Sequence, residues 1–180
     1  MVDGWWFIEV TMRTTAIVIA LGIVAGLAQM PKAPTLPADM SGFLVGHWTC
    51  HGHLPNGEPL DATISFAPLQ GEQALLFHQD DVAPGNFHAT GLGTVDRTTG
   101  KTVAFLQDNS GGARFFTSPE GWTGGQIILE DTPILGHAPF RERFLYQRTA
   151  AGGLRVDWEV GAPSGGWRLG DRNQCTRAAN

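Results

Sequence analysis

Positive charge is scarce in this 180-residue chain: 12 lysines and arginines stand against 17 aspartates and glutamates, and no two or three of the basic residues form a run. The net charge is −5, with a pI near 5.6. A partner offering a phosphate backbone requires a basic face, so nucleic acid is not an expected partner. Long apolar runs are also missing. The longest, Ala16 to Leu27, is about a dozen residues, short of the roughly 20 that a membrane-spanning helix needs. Apart from that run, no segment keeps a 3.6-residue apolar period long enough for a core helix. Catalytic and metal signatures are sparse. Ser110 lacks a Gly-x-Ser-x-Gly elbow, Gly111-Gly112 has neither the following helix nor the lysine of a phosphate loop, and no Cys-x-x-Cys occurs.

What is present begins with an export signature. Arg13, the apolar stretch 16–27 and the small-residue exit Gly26-Leu27-Ala28 read as a signal peptide over residues 1–28. Asp3 and Glu9 are acidic where a signal is basic, which points to Met12 as the true start. Cleavage after Ala28 leaves a chain with no membrane span, exported to the periplasm or beyond. Its two cysteines, Cys50 and Cys175, lie near the ends of the folded region, and an even pair in an exported chain favours a disulfide. Residues 29–41, with three prolines and no apolar period, read as an extended lead-in, leaving 42–180 as the folded domain.

With 24 glycines and 11 prolines, that domain is cut into short runs by turn signals. Strands are expected at about 43–54, 60–69, 74–81, 87–95, 101–107, 113–117, 126–130, 140–148, 154–160 and 167–177. The alternation is clear in "LDATISF", with Leu60, Ala62, Ile64 and Phe66 on one face, and in "LRVDWEV", with Leu154, Val156, Trp158 and Val160. Asn56-Gly57 is a hairpin signal, and "ADMSGFLVG" has room for one helical turn. Consecutive antiparallel strands with short connections form a meander, and closing it removes the exposed edges. The expected fold is all-β: an antiparallel up-and-down barrel of about ten strands, with an open β-sandwich as the alternative.

The stretch "FLVGHW", a short turn followed by Gly-x-Trp at the first strand, resembles the lipocalin-like barrels of the calycin group. In that group the tryptophan plugs one barrel end under an arginine of the last strand. The resemblance implies this barrel-closing role for Gly46 and Trp48 with one of Arg168, Arg172 and Arg177, Arg168 and Arg172 being the first choices. The wider pattern, carried by "HWTCHG", "HQDD", "DNSGGARFFTSPEGW" and "GDRNQC", resembles small secreted bacterial proteins of unknown function near that group. Ten strands rather than eight depart from lipocalins, and "PNGE" leaves no room for the helices of the fatty-acid-binding type. Nitrobindin-type haem barrels use a late axial histidine. Here the last histidine is His137 and the closing strand has none, so no cofactor is expected, with haem or zinc as lesser alternatives.

Three sets of side chains are candidates for function. Phe66, Phe77, Phe87, Phe105, Phe115, Phe116, Phe140, Phe144, Trp122 and Trp158 exceed what a small core requires, and a ten-strand barrel is wider than side chains alone fill; from the inward strand positions, Phe66, Phe77, Phe87 and Phe105, with Phe144, Tyr146 and Trp158, are taken forward. They are the expected lining of a cavity for a small apolar molecule. His47, His51 and His53 share one strand face, opposite Trp48, and are candidates for zinc or copper. His78, Asp80 and His88 are candidates for acid–base catalysis if adjacent strands bring them together inside a pocket. Inward histidines favour a metal protein or an enzyme, and an inward wall of Phe, Leu and Trp favours a binding barrel.

Overall fold

The computed structural model describes residues 32–82, 85–132 and 140–179. The signal-peptide reading and His137 lie outside them. Ten strands follow one another: β1 (Gly46–His53), β2 (Pro59–Leu69), β3 (Ala74–Val82), β4 (His88–Val95), β5 (Thr102–Asp108), β6 (Ala113–Ser118), β7 (Gln126–Asp131), β8 (Glu142–Arg148), β9 (Leu154–Gly161) and β10 (Trp167–Arg177). Each pairs antiparallel with its neighbours in sequence, and β1 pairs with β10, so the sheet closes into a barrel with no free edge. The sandwich alternative is thereby ruled out. The shortest ladder is β6 on β7, where Phe116 opposes Asp131 and Thr117 opposes Glu130.

Period-2 alternation selects the faces. Trp48 and Cys50 in β1, and Leu60, Ala62, Ile64 and Phe66 in β2, are buried inside, while His47, His51 and His53 face out. Cys50 sits opposite Cys175 on the interior face of the β1–β10 seam, and the two are joined as a disulfide.

The lead-in is extended only as far as Pro37; Ala38–Leu44 forms a helix, α1, longer than the single turn the sequence allowed and reaching into the expected extended segment. Met40, Phe43 and Leu44, spaced three and four apart, give it one apolar face, buried over the barrel end. Gly46 then turns the chain into β1 at φ +131°, a conformation that disfavours any residue with a Cβ.

That end is closed by a tryptophan and an arginine. Trp48 donates its indole N–H to the Leu44 carbonyl at 2.9 Å and packs 5.4 Å from Phe43. The guanidinium over its ring is that of Arg177, 4.4 Å from the ring centroid and donating to the carbonyls of Phe43 (2.6 Å) and Val45 (2.5 Å). Arg168 and Arg172 do not take this place. Arg168 is exposed, and Arg172 lies on the outer wall with its guanidinium on Asp157. Only Arg177, opposite Trp48 in the ladder, stands at the α1 end of β10.

Candidate functional site

The barrel interior has two halves of opposite chemistry. Next to α1 it is apolar. Leu36, Met40 and Leu44 form the floor, and Phe66, Phe77, Phe116, Phe144 and Tyr146 stand on the walls around a cavity of about 70 Å³. The rings form a connected set: Phe66 lies 5.5 Å from Phe77 and 6.0 Å from Tyr146, and Phe144 lies 5.4 Å from Phe116. Gly91, Gly93 and Ala104 keep the β4–β5 wall thin. One water needs roughly 10–15 Å³ of such room, so the cavity holds more than a single water, on the scale of one ring or a short chain.

The half away from α1 is polar. Arg114 on β6 points inward, donating both terminal nitrogens' hydrogen bonds to carboxylates: Nη1 to Glu142 on β8 at 2.7 and 2.9 Å, Nη2 to Asp108 on β5 at 2.5 Å. Trp158 adds its indole N–H to Glu142 at 2.8 Å. Asp108 also accepts the amide of Ser110 at 2.8 Å, so the "DNSGG" turn that reads as polar punctuation is anchored from inside the barrel. Among the described residues, two buried side-chain polar atoms have no hydrogen-bond partner: Arg114 Nε and Asn173 Oδ1. The Tyr146 hydroxyl lies at the border of the two halves. Burial pushes its pKa up, while the nearby Arg114 and Asp171 charges act on it in opposite senses.

Asp171 shares the inward parity of Asn173 and Cys175, and a bulge separates it from Leu169. Leu169 opposes Glu159 on the outer face, the register then skips Gly170, and Asp171 opposes inward-facing Trp158. Without the skip, Leu169 and Asp171 would share one face. A Cβ on Gly170 would run into the Trp158 ring, so the bulge needs glycine. Burial raises the Asp171 carboxyl to about 7, assisted by the negative charges of Asp81 and Asp157. Burial likewise raises Asp81, against the hydrogen bond it accepts from Gln79.

The remaining sequence candidates are distributed as follows. Phe66, Phe77, Phe144 and Tyr146 line the cavity; Phe87 packs on the core beneath Arg114, 6.0 Å from its guanidinium, and Trp158 belongs to the polar half. Phe105 borders the cavity wall, but its ring is on the outer face, 39% exposed and 5.2 Å from Phe115. It is one residue out of phase with inward Ala104 and Leu106. His78, Asp80 and His88 do come together, with Asp80 reaching His88 Nδ1 at 2.8 Å and His78 Nε2 at 3.2 Å, but on the exposed outer wall rather than in a pocket. His51 is tied to Asp61 at 2.8 Å on the same outer surface, and His47 and His53 are exposed. Among the described residues, no group of three or more His, Cys, Asp or Glu is disposed to hold a metal ion. A larger groove of about 400 Å³ runs along the outer side of β1 and β10 past His51, His53 and Arg172 and opens to solvent. Charged and polar groups on the apolar parity of their strands, namely Asp108, Arg114, Glu142 and Asp171, were not singled out by the sequence reading. For the first three the signal was there: each falls two residues from a core residue of its own strand.

Fold and interior together define a closed ten-stranded antiparallel barrel able to hold a small ligand. The chain is similar to the protein in the crystal structure of Rv2717c from M. tuberculosis, with a TM-score of 0.54 and 22% identity over 80% of this chain and 99% of that one. At that identity the likeness concerns the fold alone. No protein-family model matches the chain. No curated protein matches it either.

Proposed function

We propose that this chain is an exported, lipocalin-like barrel that binds a small, largely apolar molecule inside the barrel. The observation that carries this reading is the aromatic-lined cavity next to α1, with the Tyr146 ring on its wall. Binding sites of this kind are concave and mostly apolar, with few polar groups fixing orientation. The 70 Å³ volume sets the scale at a single ring or short chain, not a full-length lipid. Export is supported by the Cys50–Cys175 bridge, a bond that persists in oxidising compartments, together with the N-terminal sequence pattern. Among the described residues, the histidines on which the metal and enzyme readings rest face outward, away from the cavity.

Gly93 offers the test. It lines the cavity, and a Cβ there meets no atom within 4 Å. Gly93→Leu therefore starts its side chain in open space and is expected to occupy the void. Ligand-observed NMR with toluene is expected to show binding to the wild type and loss in the variant, with an unchanged or higher melting temperature. Toluene binding that survives in Gly93→Leu places the ligand elsewhere and overturns this reading.

A further inference from the structure

We propose that the tip of the β6–β7 hairpin, residues 119–124, is a latched flap through which a small apolar molecule enters and leaves the cavity. This deepens the cavity reading and rests on it.

The seams of the barrel are closed unequally. Every other pair of neighbouring strands shares a ladder of five or more residue pairs, whereas β6 and β7 share two. The end of this seam away from the hairpin tip is pinned further. There the Thr132 amide donates to the Phe115 carbonyl at 2.7 Å, and the Thr117 and Thr132 hydroxyls lie 3.0 Å apart. Toward the tip the ladder stops at Thr117 and Glu130. The same register would set Ser118 against Leu129 and Pro119 against Ile128, and a proline has no N–H to give. From Gln126 to Glu130, β7 is instead carried by β8, and Gln126 makes a single bridge to Thr123 across the tip. The ladder is therefore interrupted between residues 118–122 on one side and 127–129 on the other.

The cavity lies behind that interruption. Phe116 lines it from one side and Ile127 and Leu129 from the other, with Thr102, which opposes Ser118, beside them. The tip covers the place. A Cβ on Gly121 would stand 3.8 Å from the Thr102 hydroxyl oxygen, and the Trp122 ring packs on the apolar core.

The tip has its own brace, a hinge and a latch. The Thr123 hydroxyl donates to the Glu120 carbonyl at 3.1 Å, which holds the turn together as a unit. The Arg148 amide donates to the Gly125 carbonyl at 2.8 Å, so the hinge falls at Gly124 and Gly125, with φ +61° and +79°. The latch is Trp122. Its indole N–H donates to the carboxylate of exposed Asp39 on α1 at 2.7 Å, and its ring lies 6.0 Å from Phe43. The Arg148 guanidinium sits over both rings, 4.6 Å from Phe43 and 5.8 Å from Trp122.

The other ways in are closed more firmly. Trp48 and Arg177 tie α1 to β1 and β10, Arg148 donates to the Asp39 carbonyl at 3.1 Å, and the Leu36 amide donates to the Glu72 carbonyl at 3.2 Å. The opposite half of the barrel is spanned by the Arg114 ion pairs. Lifting the tip breaks the Trp122–Asp39 bond and leaves every strand ladder in place, which makes it the least costly opening.

The test follows toluene entering and leaving the purified protein by NMR exchange spectroscopy. Asp39→Ala and Trp122→Phe each remove the latch bond, and each is expected to raise the binding and release rates together by about three- to tenfold. The affinity should stay within about twofold of wild type, because the flap is closed in both the free and the bound protein. Asp39→Asn keeps an acceptor for the indole and is expected to keep the wild-type rates. In the ligand-free protein, hydrogen exchange at residues 119–124 should quicken in Asp39→Ala, with β2 and β3 unchanged. Toluene rates that do not respond to Asp39→Ala and Trp122→Phe overturn the flap and leave the cavity reading standing. So does a loss of affinity at an unchanged binding rate, or equal exchange protection of residues 119–124 in wild type and Asp39→Ala. Failure of toluene to bind the wild type overturns both.

Discussion

Replacing Asp171 by asparagine should stabilise this protein, and only above a defined pH. In the unfolded chain this carboxyl loses its proton near 3.8; in the barrel it keeps it until about 7. Between those values the folded state binds more protons than the unfolded one, so stability falls as pH rises. The contribution of Asp171 is fully present below 3.8 and is lost as pH passes through about 7. At about 1.4 kcal/mol per pH unit, the full loss is about 4 kcal/mol, and water reaching the mouth of the barrel brings the expected value to about 2–4 kcal/mol. Asparagine keeps the shape and has no charge to bury. Guanidinium unfolding of both proteins, with the disulfide intact, measures the effect. The stabilities should nearly coincide at about pH 4, and the variant should lead by about 2–4 kcal/mol at about pH 8.5. Asp81, raised in the same direction, leaves a shallower slope of the same sign in the variant. Asp157 acts in the opposite sense and in another window. Burial alone would raise it, but the hydrogen bonds from Arg155 and Arg172 outweigh that and hold it below 3.8, so its contribution is lost only as pH falls through its lowered value. Parallel pH profiles for wild type and Asp171→Asn would refute the placement of a buried acid at this position.

Three other outcomes follow from named contacts. Arg114→Met removes the one guanidinium shared by Asp108 and Glu142 and leaves two buried carboxylates unpaired, so denaturant unfolding should show a loss of about 3–5 kcal/mol. The Cys50→Ala/Cys175→Ala double variant opens a loop of 125 residues between the first and last strands; chain entropy puts the cost at about 5 kcal/mol, read as a lower denaturant midpoint at unchanged native far-UV dichroism. Arg177→Ala strips the cover from Trp48 and leaves the Phe43 and Val45 carbonyls without their donor, with an expected loss of about 1–3 kcal/mol and a changed near-UV signal from the tryptophan.

Strand count and order were legible because each strand carries its own period. "LDATISF" and "LRVDWEV" state their buried faces outright, and the ten expected runs match the ten observed strands to within a few residues. The outward histidines were legible for the same reason, once Trp48 was taken as inward. The outer face of Phe105 was legible from parity rather than from a count of aromatics, since its neighbours Ala104 and Leu106 already claimed the inside. The arginine over Trp48 could not be chosen from the sequence alone, because Arg168, Arg172 and Arg177 share one strand and the ladder register decides which stands opposite.

The sequence by itself determined the architecture: alternation with short turns makes a meander, and a meander of this length closes. It also placed two cysteines at the ends of the folded region, where closure made them neighbours. What only the tertiary structure decided is the chemistry of the interior. Asp108, Arg114 and Glu142 come from three different strands, and their meeting depends on register and closure rather than on local pattern. Asp171 shows the limit most clearly. Counting back from Cys175 and Asn173 puts it inside, counting on from Leu169 puts it outside, and only the skipped residue beside Trp158 decides between the two.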